Sequence, residues 1–420
     1  MAAIRIDIGS MAGRVPATKL RSALRHGERR RMLLAMAFIA PLALFLLVTF
    51  FVPIILLLLR AFTDHEVRTA WPATAAAMHE WDGKELPPPR IVASFVSELA
   101  TSRTNGTLMA AATRLNHALP GARTLLSRTA EALPLPGGST PLSALQAIDP
   151  RWSEPQTWST IRQASGAFTE FYLLAALDRR VERDGAVRRV PDEQAIFIDV
   201  FARTFWISAV VTALCALLGY PLAYTLARLP NRFAHPLLVL VLLPFWTSVL
   251  VRTAAWMVLL QENGAINGLL ASLGWISHPL ELIYNRTGVY IALTHVLLPY
   301  FVLPLYAVMK RLPPTTMRAA LSLGATPWQA FWRVYFIQTL PGAAAGALMV
   351  FILALGYYIT PALVGGPADQ LISYFIAFYT NQSLNWGMAA ALSLLLLVTT
   401  LLLLVVSGKL SGRRELVPRW

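Results

Sequence analysis

The sequence predicts an all-α polytopic membrane protein, with six transmembrane helices and a large helical periplasmic insertion between helices 1 and 2. Three observations carry this reading. Of the 420 residues, 56% are hydrophobic and only 14% charged, with a mean hydropathy of +0.55; multi-span membrane proteins have this balance and soluble domains rarely do. Apolar runs recur that are long enough, at roughly 1.5 Å per residue, to cross a hydrocarbon core about 30 Å thick. Lys and Arg gather beside those runs instead of lining one soluble face. The net charge of +14 is therefore read as membrane topology, and no nucleic-acid partner is expected. Cys215 is the only cysteine, which excludes an internal disulfide and a Cys-rich metal site.

Residues 1–31 form a basic cytoplasmic tail ending in Arg29-Arg30-Arg31, read as a topology anchor in preference to a specific lipid site. Transmembrane helix 1 takes 32–61. Its apolar run, 32–59, is too long for a signal-peptide core and lacks a small-residue cleavage site after it. Residues 62–196 are the insertion, rich in Pro, Ala and charge. Helical periodicity runs through 91–119 and 160–183, with breaks at Pro87-Pro88-Pro89 and 134–141, and a modest core is expected. Residues 197–408 hold the remaining spans at 198–226, 234–260, 289–309, 342–364 and 386–407. The Gly-rich segment 261–288 has room for a short surface helix. Residues 409–420 are a basic cytoplasmic tail.

Charge sets the orientation. The N-terminal tail, the turn at 228–232, the loop at 310–333 and the C-terminal tail are basic, whereas 364–385 has Asp369 and no Lys or Arg. Six spans with both termini cytoplasmic satisfy every loop, and the long insertion translocates despite its arginines.

No G-x-x-x-x-G-K-[ST], H-E-x-x-H or G-x-S-x-G pattern occurs. The chain is read as a non-enzyme without cofactor or metal, and any ATP would be bound by partner subunits. The loop 310–340 is unusual for its length. It contains Arg318-Ala319-Ala320, then Gly324, then Thr326-Pro327-Trp328-Gln329. It reads as two short helices broken at Gly324, a residue free to take the backbone angles of a sharp turn. Thr326 is the N-cap of the second, Pro327 suits its first position and Gln329 completes a capping box.

This loop resembles the EAA loop of the inner-membrane permease subunits of bacterial ABC importers (type I). Ala319, Ala320, Gly324 and Val334 match that pattern. Arg318 stands where the family has Glu, Ile337 where many members have Pro, and Leu340-Pro341 comes slightly late. Gly219-Tyr220-Pro221-Leu222-Ala223-Tyr224, Leu250-Val251-Arg252-Thr253, Glu262-Asn263-Gly264, Thr360-Pro361-Ala362-Leu363-Val364-Gly365-Gly366-Pro367 and Asn385-Trp386-Gly387-Met388 resemble the polyamine (spermidine/putrescine) branch. The resemblance covers 197–408 and helix 1. It implies a multi-pass subunit of the bacterial inner membrane that pairs with a second permease subunit, identical or different. Two ATPase subunits would drive the pore and a periplasmic substrate-binding protein would feed it. Arg318, Ala319, Ala320, Gly324, Thr326, Pro327 and Gln329 would couple to the ATPase. Polyamine is the implied solute, with opines, thiamine and ferric iron as cargoes of similar subunits.

Within the spans, Arg252 stands near the middle of 234–260, where a charge costs about 2.5–3.5 kcal/mol. It belongs either to the translocation path or to a structural pairing with backbone carbonyls or a neighbouring subunit. Tyr357 and Tyr358 follow Gly356 and precede Thr360-Pro361, so the helix is expected to loosen there. With Trp246, Arg252 and Thr360 they form the candidate path; the alternative for the aromatics is an interfacial belt. His295 is read as a satisfied core histidine. The scarcity of intramembrane acids argues against a proton-coupled transporter. A membrane receptor or assembly protein that binds a partner through 62–196 is the reading from another class.

Overall fold

The computed structural model describes residues 32, 34, 36–135, 140–182 and 186–412. The basic run at 25–31 and Arg413, Arg414 and Arg419 lie outside them. The chain divides into two units, Met1–Leu57 and Leu58–Trp420. In the first, α1 (Met36–Leu59) is apolar all round, as a helix solvated by lipid must be. Its ladder widens into a π turn at Leu47–Phe51, just before Pro53, which has no N–H to donate to the preceding turn.

The second unit begins with the insertion. Its helices include Pro72–Met78, Pro89–Thr104, Pro141–Ile148 and Pro155–Ala164, each with Pro in its first turn. Prolines that read as breaks are helix starts, because the missing N–H is one the first turn leaves unbonded anyway. The periodic run 91–119 divides at Asn105-Gly106 into Pro89–Thr104 and Leu108–Ala118. The run 160–183 ends in a hairpin, Arg179–Val181 against Val187–Arg189, and not in helix. The core also exceeds the modest one expected. Trp71, Phe95, Trp152 and Trp158 are buried, with ring centroids 5.0–5.5 Å apart along the cluster.

Asp178 joins the insertion to the membrane helices. Its carboxylate accepts the N–H groups of Phe197 at 3.0 Å and Ile198 at 2.7 Å, capping α2 (Phe197–Arg228). The predicted span 234–260 is not one helix. It is α3 (Asn231–Trp246) and α4 (Val249–Leu260), bent by 101° across Thr247-Ser248 when α4 is taken on through α5 (Ala265–Ser272). Then come α6 (Arg286–Arg311), α7 (Thr315–Ser322) and α8 (Pro327–Leu355). The predicted second loop helix and the span at 342–364 are corrected together. The loop helix is the first turn of α8, which stops at Leu355, and α9 (Ile359–Val364) is separate. Helix α10 (Ile372–Asn381) occupies what read as loop, and α11 (Trp386–Gly412) completes the chain.

Helices α2, α6 and α8 pack as the centre of this region. Cys215 approaches the Thr294 carbonyl, Gly219 lies against Phe301, and Arg228 meets Met317 just beyond α6, so α2 and α6 run parallel. Helix α8 runs antiparallel to α6: Gly342 faces Val308 and Leu305, and Gly346 faces Phe301. A Cβ at Gly346 would stand 2.7 Å from the Phe301 carbonyl oxygen, so this small-residue stripe sets the helix spacing. Two parallel membrane helices require an odd number of crossings between them. The bent pair α3–α4 is that crossing, which makes six spans with α1 where five unbroken helices qualify by length.

Candidate functional site

Two regions carry the residues singled out by the sequence. The first is the connection from α6 to α8. Helix α7 has no buried residue. Gly324 ends it with φ +90° and open space around the missing Cβ, so conformation and not crowding requires glycine there. The predicted capping box is present. Gln329 donates its N–H to Thr326 Oγ1 at 3.3 Å, and Gln329 Oε1 accepts the Thr326 N–H at 3.2 Å, with Pro327 in the first turn. Arg318, Ala319, Gly324, Thr326, Pro327 and Gln329 are exposed, and Ala320 half-buried.

Beyond the cap, α8 passes through a π turn at Phe331–Tyr335. The wider turn carries an aromatic cluster onto the end of α2. Phe331 and Tyr335 pack on Tyr224 at 5.6 and 5.4 Å between centroids, and the Arg228 guanidinium lies 4.0 Å from the Tyr224 ring centre. Tyr220 shares a hydrogen bond with Thr339 at 2.8 Å. The loop tip is thus fixed rigidly to α2 and α8, while Leu323 (89% exposed) and Trp328 (71%) project from it.

The second region surrounds the two backbone breaks in the spans. Arg252 sits in the first turn of α4 and reaches back over the end of α3. It donates to the Pro244 carbonyl, to the Thr247 carbonyl at 2.8 Å and to Thr247 Oγ1 at 3.2 Å. Those carbonyls end α3 and lack helical partners. The next residue, Thr253, shares a hydrogen bond of 3.0 Å with buried Thr360 on α9. Tyr357 lies half-buried in the second break, its carbonyl accepting from Ser373 Oγ at 2.6 Å. Tyr358 stands 6.4 Å from Tyr374 of α10, ring to ring. The structure therefore joins the Arg252 and Thr360 elements directly and places both tyrosines at the α9 end. Trp246, 71% exposed, makes no ring contact among the described residues. His295 accepts at Nδ1 from Trp256 Nε1 at 3.2 Å, but it is exposed and not the core histidine read from the sequence. Thr253, Ser373 and Tyr374 escaped the sequence reading as site residues, because only the fold brings the two hydroxyls and the Tyr374 ring to the breaks.

The sequence profile of the family described as "Binding-protein-dependent transport system inner membrane component" matches residues 216–411. The spermidine/putrescine transport system permease protein PotB of Haemophilus influenzae is 34% identical over 203 residues, 47% of this chain and 71% of that protein. PotB of Escherichia coli K12 is 34% identical over 199 residues, 47% and 72% of the two chains. The E. coli K12 inner membrane ABC transporter permease protein YdcU is 33% identical over 213 residues, 47% and 66%. Among solved structures, a bacterial alginate ABC transporter in complex with an alginate pentasaccharide-bound periplasmic protein aligns with 18% identity and a TM-score of 0.42, covering 53% of this chain and 81% of that one.

Proposed function

Since the chain belongs to the inner-membrane permease family of ABC importers, in its polyamine branch, we propose that it lines the path for spermidine or putrescine and couples to a separate ATPase through α7 and the start of α8. Two such permease subunits form the pore, a periplasmic binding protein delivers the solute, and both termini of this chain face the cytoplasm. The observation that carries the coupling is the rigid, uncovered loop tip. A helix without a buried residue and a capped helix that continues unbroken into a membrane span suit docking in a partner's cleft. A rigid-body push there reaches α2 and α8 through the Phe331–Tyr335–Tyr224 cluster.

The cationic solute is supported by where the one mid-span charge goes. Arg252 is turned onto the carbonyls that end α3, whose dipoles offset part of the repulsion that a polycation would meet. Aromatic faces at Tyr357, Tyr358 and Tyr374 remain for cation–π contact. In proteoliposomes with its ATPase and binding protein, spermidine should stimulate ATP hydrolysis and enter. Gly324→Asp should uncouple the two by detaching the ATPase. Full uptake driven by a proton gradient without ATP, or stimulation by an opine but not by spermidine, would sink the corresponding half of the proposal.

A further inference from the structure

A cavity of about 470 Å³ opens between the insertion and the start of α11. One wall is the helix Leu108–Ala118, through Met109, Ala110, Thr113, Arg114 and His117; the others are the segment Arg60–Glu66, Tyr172, and Leu384–Gly387 at the beginning of α11. None of these residues belongs to the coupling loop or to the breaks in the spans. The volume is that of a site for a small organic molecule.

The wall chemistry is specific. Arg114 is only 4% exposed. Its Nε is bound to Asp64, and the guanidinium lies 4.5 Å from the ring centre of Phe171 and 5.0 Å from that of Tyr172. Its Nη1 has no hydrogen-bond partner, and neither have Oδ1 of Asp64 and Nδ1 of His117. A buried guanidinium N–H without an acceptor is costly, and an acceptor brought into the cavity would remove that cost. Arg60 faces the same space with its guanidinium 5.8 Å from the Trp386 ring centre. Thr63 and Thr113 add hydroxyls. Glu66 is the carboxylate on the wall and Asp64 is bound to Arg114 behind it, so arginines and carboxylates balance two to two, and Arg60 over Trp386 is the guanidinium with no carboxylate partner among the described residues. Beside this polar side lie Trp386, Tyr172 and Met109, an aromatic and thioether surface suited to a flat apolar body.

We propose that this cavity binds a carboxylate carried on an apolar or aromatic body, with Arg114 and Arg60 holding the charge and Trp386 and Tyr172 the body. The carboxylate comes either from a free solute or from an acidic side chain of the docked binding protein. The second source rests on the proposed function; the first does not.

The probe is para-fluorobenzoate, observed by fluorine NMR with the full chain in detergent micelles, and the neutral para-fluorobenzamide reports partition into the micelle. Saturable broadening of the benzoate alone is expected. It should be lost in Arg60→Gln, and in Ala110→Trp, which fills the cavity from an exposed position without touching the core. Unchanged melting of both variants will show that they fold. In the assembled transporter the same variants weaken association of the binding protein if that protein supplies the carboxylate, and leave it intact if the ligand is free. Equal behaviour of benzoate and benzamide, or variants that change neither broadening nor association, overturns the proposal.

Discussion

At the scale of single residues, Arg252 shows what sequence can and cannot give. Its position in an apolar run announces a charge that must be compensated, and carbonyl pairing was one of two readings open. The choice depended on a helix break at Thr247 that periodicity does not reveal, because apolar residues continue on both sides of it. With the break in place, one guanidinium reaches two carbonyls and a hydroxyl, a fork that no single lysine ammonium reproduces. Arg252→Ala is expected to destabilise the protein by about 1.5–3 kcal/mol, the range for hydrogen bonds to charged groups. Arg252→Lys should recover part of that. Thermal melting in detergent measures both, and ATPase association should survive. If Arg252→Gln instead leaves melting unchanged and shifts uptake towards anionic solutes, the arginine acts on the cargo. Gly346 makes a second test. Its missing side chain admits the Phe301 backbone, so Gly346→Leu should separate α8 from α6 and abolish assembly, seen as loss of a monodisperse peak in size-exclusion chromatography.

Among the elements, the loop after α6 was the most legible, since Thr326, Pro327 and Gln329 are a local code for a helix start that needs no tertiary information. Its C-terminal side was not legible. Nothing local says that the same helix continues through a π turn into the span. Thr326→Ala should fray the first turn of α8, costing about 1 kcal/mol, and should lower coupled ATPase activity more than ATPase binding, because the tip remains but no longer transmits force stiffly. The helix Leu108–Ala118 carries a pH test. Burial, opposed by Arg114, raises the Asp64 pKa to about 7 from 3.8. Burial and then Arg114 lower that of His117 to about 4 from 6.5. Between these limits the folded state holds an extra proton at Asp64, so stability falls as pH rises. Over nearly the same window the unfolded state holds an extra proton on His117, so stability rises. The two slopes oppose, and the chain should melt almost independently of pH there. His117→Asn should expose the Asp64 slope, a loss of up to about 1.4 kcal/mol per pH unit. Melting followed through tryptophan fluorescence checks this, and a flat profile in the variant would show that Asp64 does not carry that proton.

For the whole molecule, hydropathy in the sequence predicts six spans, matched by five long apolar helices and the bent pair, and the basic loops predict their sidedness. The sequence did not yield the break in the third span, the separate α9 and α10, or the aromatic core of the insertion, all of which depend on contacts distant in sequence. The direction of packing supplies what hydropathy lacks. Parallel α2 and α6 force the bent pair to cross, so Asn263, beyond the bend, must lie on the face opposite Leu323. The insertion residue Ser97, which precedes α2, must share the face of Asn263. Since Cys215 is buried and the only cysteine, a Cys215→Ser background allows single cysteines to be placed at these three exposed positions. A membrane-impermeant maleimide applied to right-side-out vesicles should label Ser97→Cys and Asn263→Cys but not Leu323→Cys, and inverted vesicles should reverse the pattern. Labelling of Leu323→Cys together with Ser97→Cys, with Asn263→Cys protected, would make the bent pair a re-entrant loop. The parallel packing of α2 and α6 could not then coexist with a single membrane plane, and the six-span arrangement would have to be abandoned.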